Sequence, residues 1–352
     1  MRPINYFPVF VALTVIISLG LSVIWSMAPN LATSQTIALG IGIIALLVVS
    51  RLDSQWLFQL RWPLYWTSLI LLIATEVLGI TTRGSTRWIN LGLFNFQTSE
   101  FIKPALIVSF AGFFVDTRIK GPKFLFRQII LLSLPLGLIF WQPDLGSALT
   151  LAIIWLGMLL VSSVPKKYLI VLIMLSILVL PFGVRTLKPY QRDRLESFLN
   201  PFADPSGSGY NVIQSMIAVG NGRIWGKGVR QGTQSHLRFL PERHTDFAFA
   251  SYAEEFGFVG VTILLLSFFV FLNWIVEISS RSSPFGRLVT QGFFWWVFGQ
   301  MAINIGMNMG IMPVTGITLP LVSYGGSSLL SLFIGLGTVI VFARESEKQI
   351  DL

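Results

Sequence analysis

The feature that most constrains this chain is a succession of long apolar runs, at about 7–28, 36–50, 63–80, 101–115, 128–142, 146–164, 168–184, 256–276, 288–308 and 318–342. About 18 apolar residues in a helix suffice to cross a hydrocarbon layer roughly 30 Å thick. The runs are unbroken rather than spaced at i, i+3, i+4, so they do not describe helices with one wet face. Several fall short of a full span and must recruit flanking polar residues. Composition agrees: 53% of the 352 residues are hydrophobic and 12% are charged, about half the charged fraction of an ordinary soluble domain. The expected fold is an all-α integral membrane protein of about ten transmembrane helices, a single polytopic domain over residues 1–352. Tyr6, Trp56, Trp62, Trp141 and Trp274 lie near run ends, where an amphipathic ring meets both of its environments.

Basic residues give the expected orientation. Arg2, Arg51 with Arg61, Arg118 to Arg127, Lys166 with Lys167, Arg281 with Arg287, and Arg344 with Lys348 occupy alternate connections. The positive-inside rule then puts both termini in the cytoplasm. Residues 81–100 and one large loop, 185–255 between helices 7 and 8, face outward. The first run is too long for a cleaved signal peptide and reads as an anchor helix. Topology and anionic lipid account for thirteen of the 25 basic residues, so the net charge of +9 calls for no nucleic acid. The chain has no cysteine, which excludes a disulfide framework and thiol chemistry.

A charged side chain in a membrane segment is costly, which makes each one a functional candidate. On the outward side these are Arg83, Arg87, Glu100, Lys103, Asp144 and a cluster that ends at Asp246. Glu100 and Lys103 share a helix face, as a structural ion pair or as the polar wall of a cavity. Asp144, between Pro143 and Gly146, suits a helix cap or a substrate contact. The large loop begins with a short amphipathic helix at 190–199 that carries Arg192 and Arg194. From 207 to 232 it mixes glycines with Arg223, Lys227 and Arg230, as an anion-binding nest or as a turn-rich loop. Between 185 and 243, nine basic residues face four acids, which suits an anionic ligand. Asp246 closes that loop beside Arg243 and His244. It can cap the next helix, take a proton from an attacking hydroxyl, or hold a divalent ion against a phosphate. Glu254 and Glu255, eight and nine residues on, bring one carboxylate back near the same face.

Several stretches resemble, in order, the shape, elongation, division and sporulation (SEDS) family of bacterial peptidoglycan polymerases. They are RWINLG at 87–92, FQTSE at 96–100 with Lys103, QPDLGSAL at 142–149 and YQRDR at 190–194. GSGYNVIQSMIAVGNG follows at 207–222, then GTQSHLRFLPERHTDFAFASYAEEFGFVG at 232–260 and NIGMNMGIMPVTGITLPLVSYGGSS at 304–328. Thr98 and Asn211 depart from the usual family residues without removing a titratable group. Arg243 favours the elongation type.

The resemblance implies an inverting glycosyltransferase that polymerises lipid II, the undecaprenyl-diphosphate-linked disaccharide-pentapeptide, at the cytoplasmic membrane. It makes Asp246 the essential carboxylate, as base or as holder of a magnesium or manganese ion. It places Glu100, Lys103 and Asp144 in the same cavity. Arg87, Arg192, Arg194, His244 and Ser323 complete the expected substrate-binding set. The implied partners are a class B penicillin-binding protein, which supplies the transpeptidase, and other membrane proteins of the elongation complex. Two rival readings are a lipid II flippase and a scaffold without chemistry of its own. Polar groups gathered at the outer side, away from the midplane where transporter sites lie, count against the flippase.

Overall fold

The computed structural model describes residues 4–82, 85–90, 95–116, 121–162, 164–165, 167–172, 174, 189–237 and 239–348. Its helices are α1 (Phe7–Met27), α2 (Pro29–Val49), α3 (Ser54–Gln59), α4 (Arg61–Leu78), α5 (Thr98–Val115), α6 (Pro122–Trp141), α7 (Leu145–Val161), α8 (Pro189–Leu199), α9 (Tyr210–Asn221), α10 (Thr233–His236), α11 (Ala248–Arg281), α12 (Pro284–Asn308) and α13 (Gly326–Lys348). Among the described residues, six helices are long and apolar enough to cross a membrane: α1, α2, α5, α6, α11 and α13. The chain is a multi-pass helical membrane protein. Of the run at 168–184, residues 168–172 and 174 are helical, and the others lie outside the described residues together with Arg83, Arg118, Lys120, Lys166, Arg185, Lys188 and Arg238.

The bundle is inverted relative to a soluble one. Large apolar side chains such as Phe10, Ile44, Val77 and Phe269 are exposed on its surface, as lipid contact requires. The interior accommodates Glu100, Lys103, Asp144, Asn304 and Asn308. α12 lies centrally, packed on α5, α7, α11 and α13. α5 is the most enclosed span, with 83% of its apolar window buried against 17% for α2. Glycines set the closest crossings. A Cβ at Gly292 would stand 2.7 Å from Ile107, and one at Gly20 would stand 2.7 Å from the Val322 backbone, which is the small-residue logic of helix packing in lipid.

Four features differ from the sequence reading. The connection after α4 is a three-stranded antiparallel sheet, so the fold is not purely helical. Its strands are β1 (Ile80–Thr82), β2 (Ser85–Asn90) and β3 (Asn95–Gln97), with Trp88 opposite Gln97 and Ile89 opposite Phe96. Alternation over six residues is too short a signal to stand out beside runs of twenty. α2 starts at Pro29 rather than 36, because only Ala28 breaks the chain after α1 and proline is at ease in a first turn. The last helix starts at Gly326 rather than 318. The preceding stretch holds Gly310 and Gly316 at φ +71° and +75° and folds as an irregular loop.

The fourth is α11, which begins eight residues before the run at 256 and is interrupted at Gly257 (φ +64°, ψ −166°). The large loop fills that interruption. Lys227 and Gly228 donate backbone N–H bonds to the Glu254 and Glu255 carbonyls (2.9 and 3.0 Å), and Phe258 and Val259 donate to the Arg223 and Ile224 carbonyls (2.8 and 3.1 Å). Groups orphaned by a broken helix are costly in a membrane; here the hook at 223–228 satisfies them.

Candidate active site

Asp246 closes a short segment whose backbone is held one carbonyl after another. The Arg243 carbonyl accepts from Ser251 Oγ at 3.2 Å, and that of His244 accepts from the Tyr324 N–H at 2.8 Å. The Thr245 carbonyl accepts from Ser323 Oγ at 2.6 Å. The Asp246 carbonyl accepts from two amides of α12, Asn304 Nδ2 at 2.9 Å and Asn308 Nδ2 at 3.0 Å. Asp246 is half-buried, and its Oδ2 faces Gly316, where a Cβ would stand 3.5 Å away. The aspartate does not cap α11. Phe247 is the N-cap residue and makes no side-chain cap bond. The cap comes from α12, where Asn308 Oδ1 accepts from the Ala250 N–H at 3.0 Å.

The loop between α12 and α13 is the platform beneath this segment. Asn304 Nδ2 also donates to the Ile317 carbonyl at 2.7 Å. Gln35, buried on α2, donates to the Ser323 carbonyl at 3.2 Å and accepts from the Gly325 N–H at 3.1 Å. The Ser323 hydroxyl donates to Thr245 and accepts from the Leu319 N–H at 2.9 Å. It therefore serves as a stitch between loop and segment. His244 stands edge-on to Tyr324 at 5.9 Å. Burial pulls its imidazole below the usual 6.5; Glu242 opposes that shift and Arg243 adds to it.

The second cluster forms where α5 and α7 begin. Asp144 caps α7, its Oδ1 accepting from the Ser147 N–H at 3.1 Å. Its Oδ2 accepts from Ser99 Oγ at 3.0 Å, and Arg87 Nη1 stands 3.7 Å from Oδ1. Arg87 also donates to the Pro143 carbonyl. One turn along α5, Glu100 and Lys103 pair directly, 5% and 1% exposed. Lys103 Nζ lies 5.7 Å from the Trp296 ring centroid. A charge this deeply enclosed persists only with a partner. The platform touches this cluster as well, since a Cβ at Gly146 would stand 2.8 Å from the Thr315 carbonyl. Asp144 and Asp246 therefore flank the Thr315–Ile317 turn.

Arg192 and Arg194 sit on α8, the first exposed and the second half-buried. The glycines at 222–228 do not form a nest around an anion. Gly222 and Gly226 press on the Ala253 and Glu255 carbonyls, closer than any Cβ permits. Glu254 and Glu255 likewise turn away from Asp246. Glu254 accepts from the Gln234 and Ser235 N–H groups (3.0 and 3.1 Å) and from the hydroxyls of Thr233 and Ser235 (3.1 and 3.0 Å). Glu255 meets Ser26 Oγ at 2.6 Å and His236 Nε2 at 2.9 Å. The break at Gly257 defeats simple helical counting, and both carboxylates fasten the loop instead. Among the described residues, no group of three or more His, Asp or Glu side chains gathers to hold a metal.

Sequence reasoning passed over Asn304, Asn308 and Gln35. The available signal was two asparagines four apart inside an apolar run, which puts both on one helix face and makes them membrane-buried polar groups in need of partners.

The family of FtsW, RodA and SpoVE cell cycle proteins matches residues 3–348. The chain belongs to this family. Peptidoglycan glycosyltransferase MrdB of Escherichia coli K12 is 40% identical over 79% of the chain and 76% of its own length. A probable peptidoglycan glycosyltransferase FtsW of Hydrogenovibrio crunogenus is 35% identical over 99% and 93%. A chain from a peptidoglycan synthase complex, solved for the structural coordination of polymerization and crosslinking, superposes with TM-score 0.85 at 33% identity, covering 98% of this chain and 99% of that one. The rod shape determining protein RodA of Thermus thermophilus superposes at 0.74 with 30% identity, covering 97% of each. FtsW and RodA proteins both stand among these relatives.

Proposed function

We infer that this chain is a peptidoglycan glycosyltransferase that polymerises lipid II into β-1,4 glycan strands for cell elongation, at the outer face of the bacterial cytoplasmic membrane. The observation that carries the site assignment is the backbone of 243–246, pinned at every carbonyl so that the Asp246 carboxylate is held against Gly316. Holding a catalytic group in place before reaction is where much of an enzyme's rate comes from.

An α-linked donor that becomes a β-linked product inverts, so one displacement suffices. The acceptor 4-hydroxyl attacks the anomeric carbon, the bond to the lipid diphosphate breaks, and Asp246 takes the hydroxyl proton. Arg87, Arg192 and Arg194 supply guanidinium donors suited to the departing diphosphate. Lys103, Glu100 and Asp144 form the wall across the platform. In its alternative role Asp246 would hold a magnesium or manganese ion together with the substrate phosphates; such ions keep several waters and need few protein ligands. When bound it would neutralise charge on the diphosphate.

Ten spans with both termini in the cytoplasm complete the proposal. The large loop follows the seventh span, and a class B penicillin-binding protein sits beside the chain to cross-link its product. The deciding experiment gives purified protein lipid II, with and without divalent ions and that partner. We expect glycan ladders from the parent protein and a loss of about 10²–10⁴-fold for Asp246→Asn. Normal ladders from a folded Asp246→Asn protein would refute the assignment. Lipid II crossing vesicles without ladders would favour the flippase.

A further inference from the structure

We propose that the hook at 223–230 is a lipid-surface anchor that dips into the bilayer interface and engages the headgroups of anionic phospholipids. The hook is spliced into the α11 break at Gly257, and that break fixes its height. From Phe258 to Arg281 the helix continues for 24 residues, about 36 Å at 1.5 Å per residue and enough to cross the hydrocarbon alone. Gly257 therefore lies at one membrane boundary. Trp25, near the end of α1, marks the same level, because α1 packs along α11 and the Arg230 guanidinium stacks 3.9 Å from the Trp25 ring centroid.

At that level the hook and α11 just past its break turn apolar side chains outward. Trp225 is 79% exposed, Ile224 59% and Phe258 67%. They continue the exposed apolar face that Ile263, Leu266 and Phe269 present lower on α11. Exposed aromatics of this size need a covering phase, and the surface they extend is the one that faces acyl chains.

The charge pattern selects the lipid. Between Asp204 and Glu242 the sequence contains no acidic residue, yet it contains Arg223, Lys227, Arg230 and Arg238. The nearby Glu254 and Glu255 are buried; Glu254 holds Lys227 Nζ at 3.6 Å, so the exposed cations of the hook are Arg223 and Arg230. Arg223 and Arg230 hold φ +47° and +65°, a backbone that glycine adopts without strain. Cations kept in such positions point to a use for the charge. Aromatic side chains at the boundary with basic groups beside them are the chemistry that reads an anionic bilayer surface.

The absence of cysteine makes the test direct. A bimane probe on Trp225→Cys, and separately on Ile224→Cys, is read in nanodiscs of phosphatidylcholine and phosphatidylglycerol whose acyl chains carry a doxyl quencher on one lipid type at a time. We expect quenching at both positions and none at an Asp204→Cys control. Quenching should favour labelled phosphatidylglycerol by up to about fivefold per engaged cation, and Arg223→Gln with Arg230→Gln should abolish the preference. Equal quenching by both lipids would overturn the headgroup assignment. Absence of quenching, with the probe shielded only when a membrane-anchored partner protein is added, would overturn the proposal and assign the patch to that partner.

Discussion

At the scale of single residues, Asn304 and Asn308 do the most with the least chemistry. Together they hold the Asp246 carbonyl, tie it to Ile317 and cap α11. In the proposed reaction they are positioning residues, which place Asp246. Leucine at either position keeps the volume and removes the donors. We expect Asn304→Leu and Asn308→Leu to lower kcat by about 10–100-fold, as small misplacements do, with little change in KM. Loss through KM alone would show that they serve ground-state binding instead. His244 makes a second residue-level prediction. Its imidazole titrates below 6.5 in the folded protein, so below pH 6.5 the unfolded chain binds the proton that the folded chain refuses. Stability is therefore expected to fall as pH drops through that value. His244→Gln should flatten this part of a thermal-unfolding profile.

At the scale of elements, the α11 break governs how the large loop is attached. A side chain at Gly257 would overlap the Gly226 backbone and would also have to hold φ +64°. Gly257→Ala is expected to cost at least about 2 kcal/mol, lowering the thermal transition in detergent. Gly40 on α2 and Gly137 on α6 have nothing within 4 Å of an added Cβ. Alanine at either should be neutral or stabilising by up to about 1 kcal/mol. Equal effects at all three positions would mean that the splice is not a structural determinant. The break also explains why Glu254 and Glu255 serve the loop: the polypeptide that fills the gap brings its N–H groups and hydroxyls directly onto them.

At the scale of the whole molecule, polar groups collect at the loop end of the bundle. The opposite end is tied by pairs such as Arg127 with Asp116 at 3.2 Å and Arg344 with the Ser50 carbonyl at 2.8 Å. The Thr315–Ile317 turn joins the two carboxylate clusters, and the loop that carries it is anchored by α2, α12 and the 243–246 segment. The proposed topology predicts that a membrane-impermeant maleimide added outside intact cells labels Asp204→Cys. A fluorescent protein fused after residue 352 should mature on the cytoplasmic side. Labelling of Asp204→Cys only after lysis would reverse the orientation.

The sequence by itself determined the class of molecule and which charged residues stand as candidates. Hydropathy is a local property that survives without coordinates, so spans such as α1 and α6 could be read directly. The pairing of Glu100 with Lys103 and the capping role open to Asp144 were legible for the same reason, since each depends on neighbours three residues apart. Only the tertiary structure decided what holds Asp246 and where Glu254 and Glu255 point. Those facts join residues 35, 246, 308 and 323, or 26, 236 and 255, across distances along the chain that no local spacing rule spans. In a membrane interior every buried polar group needs a partner, and the fold alone chooses which one.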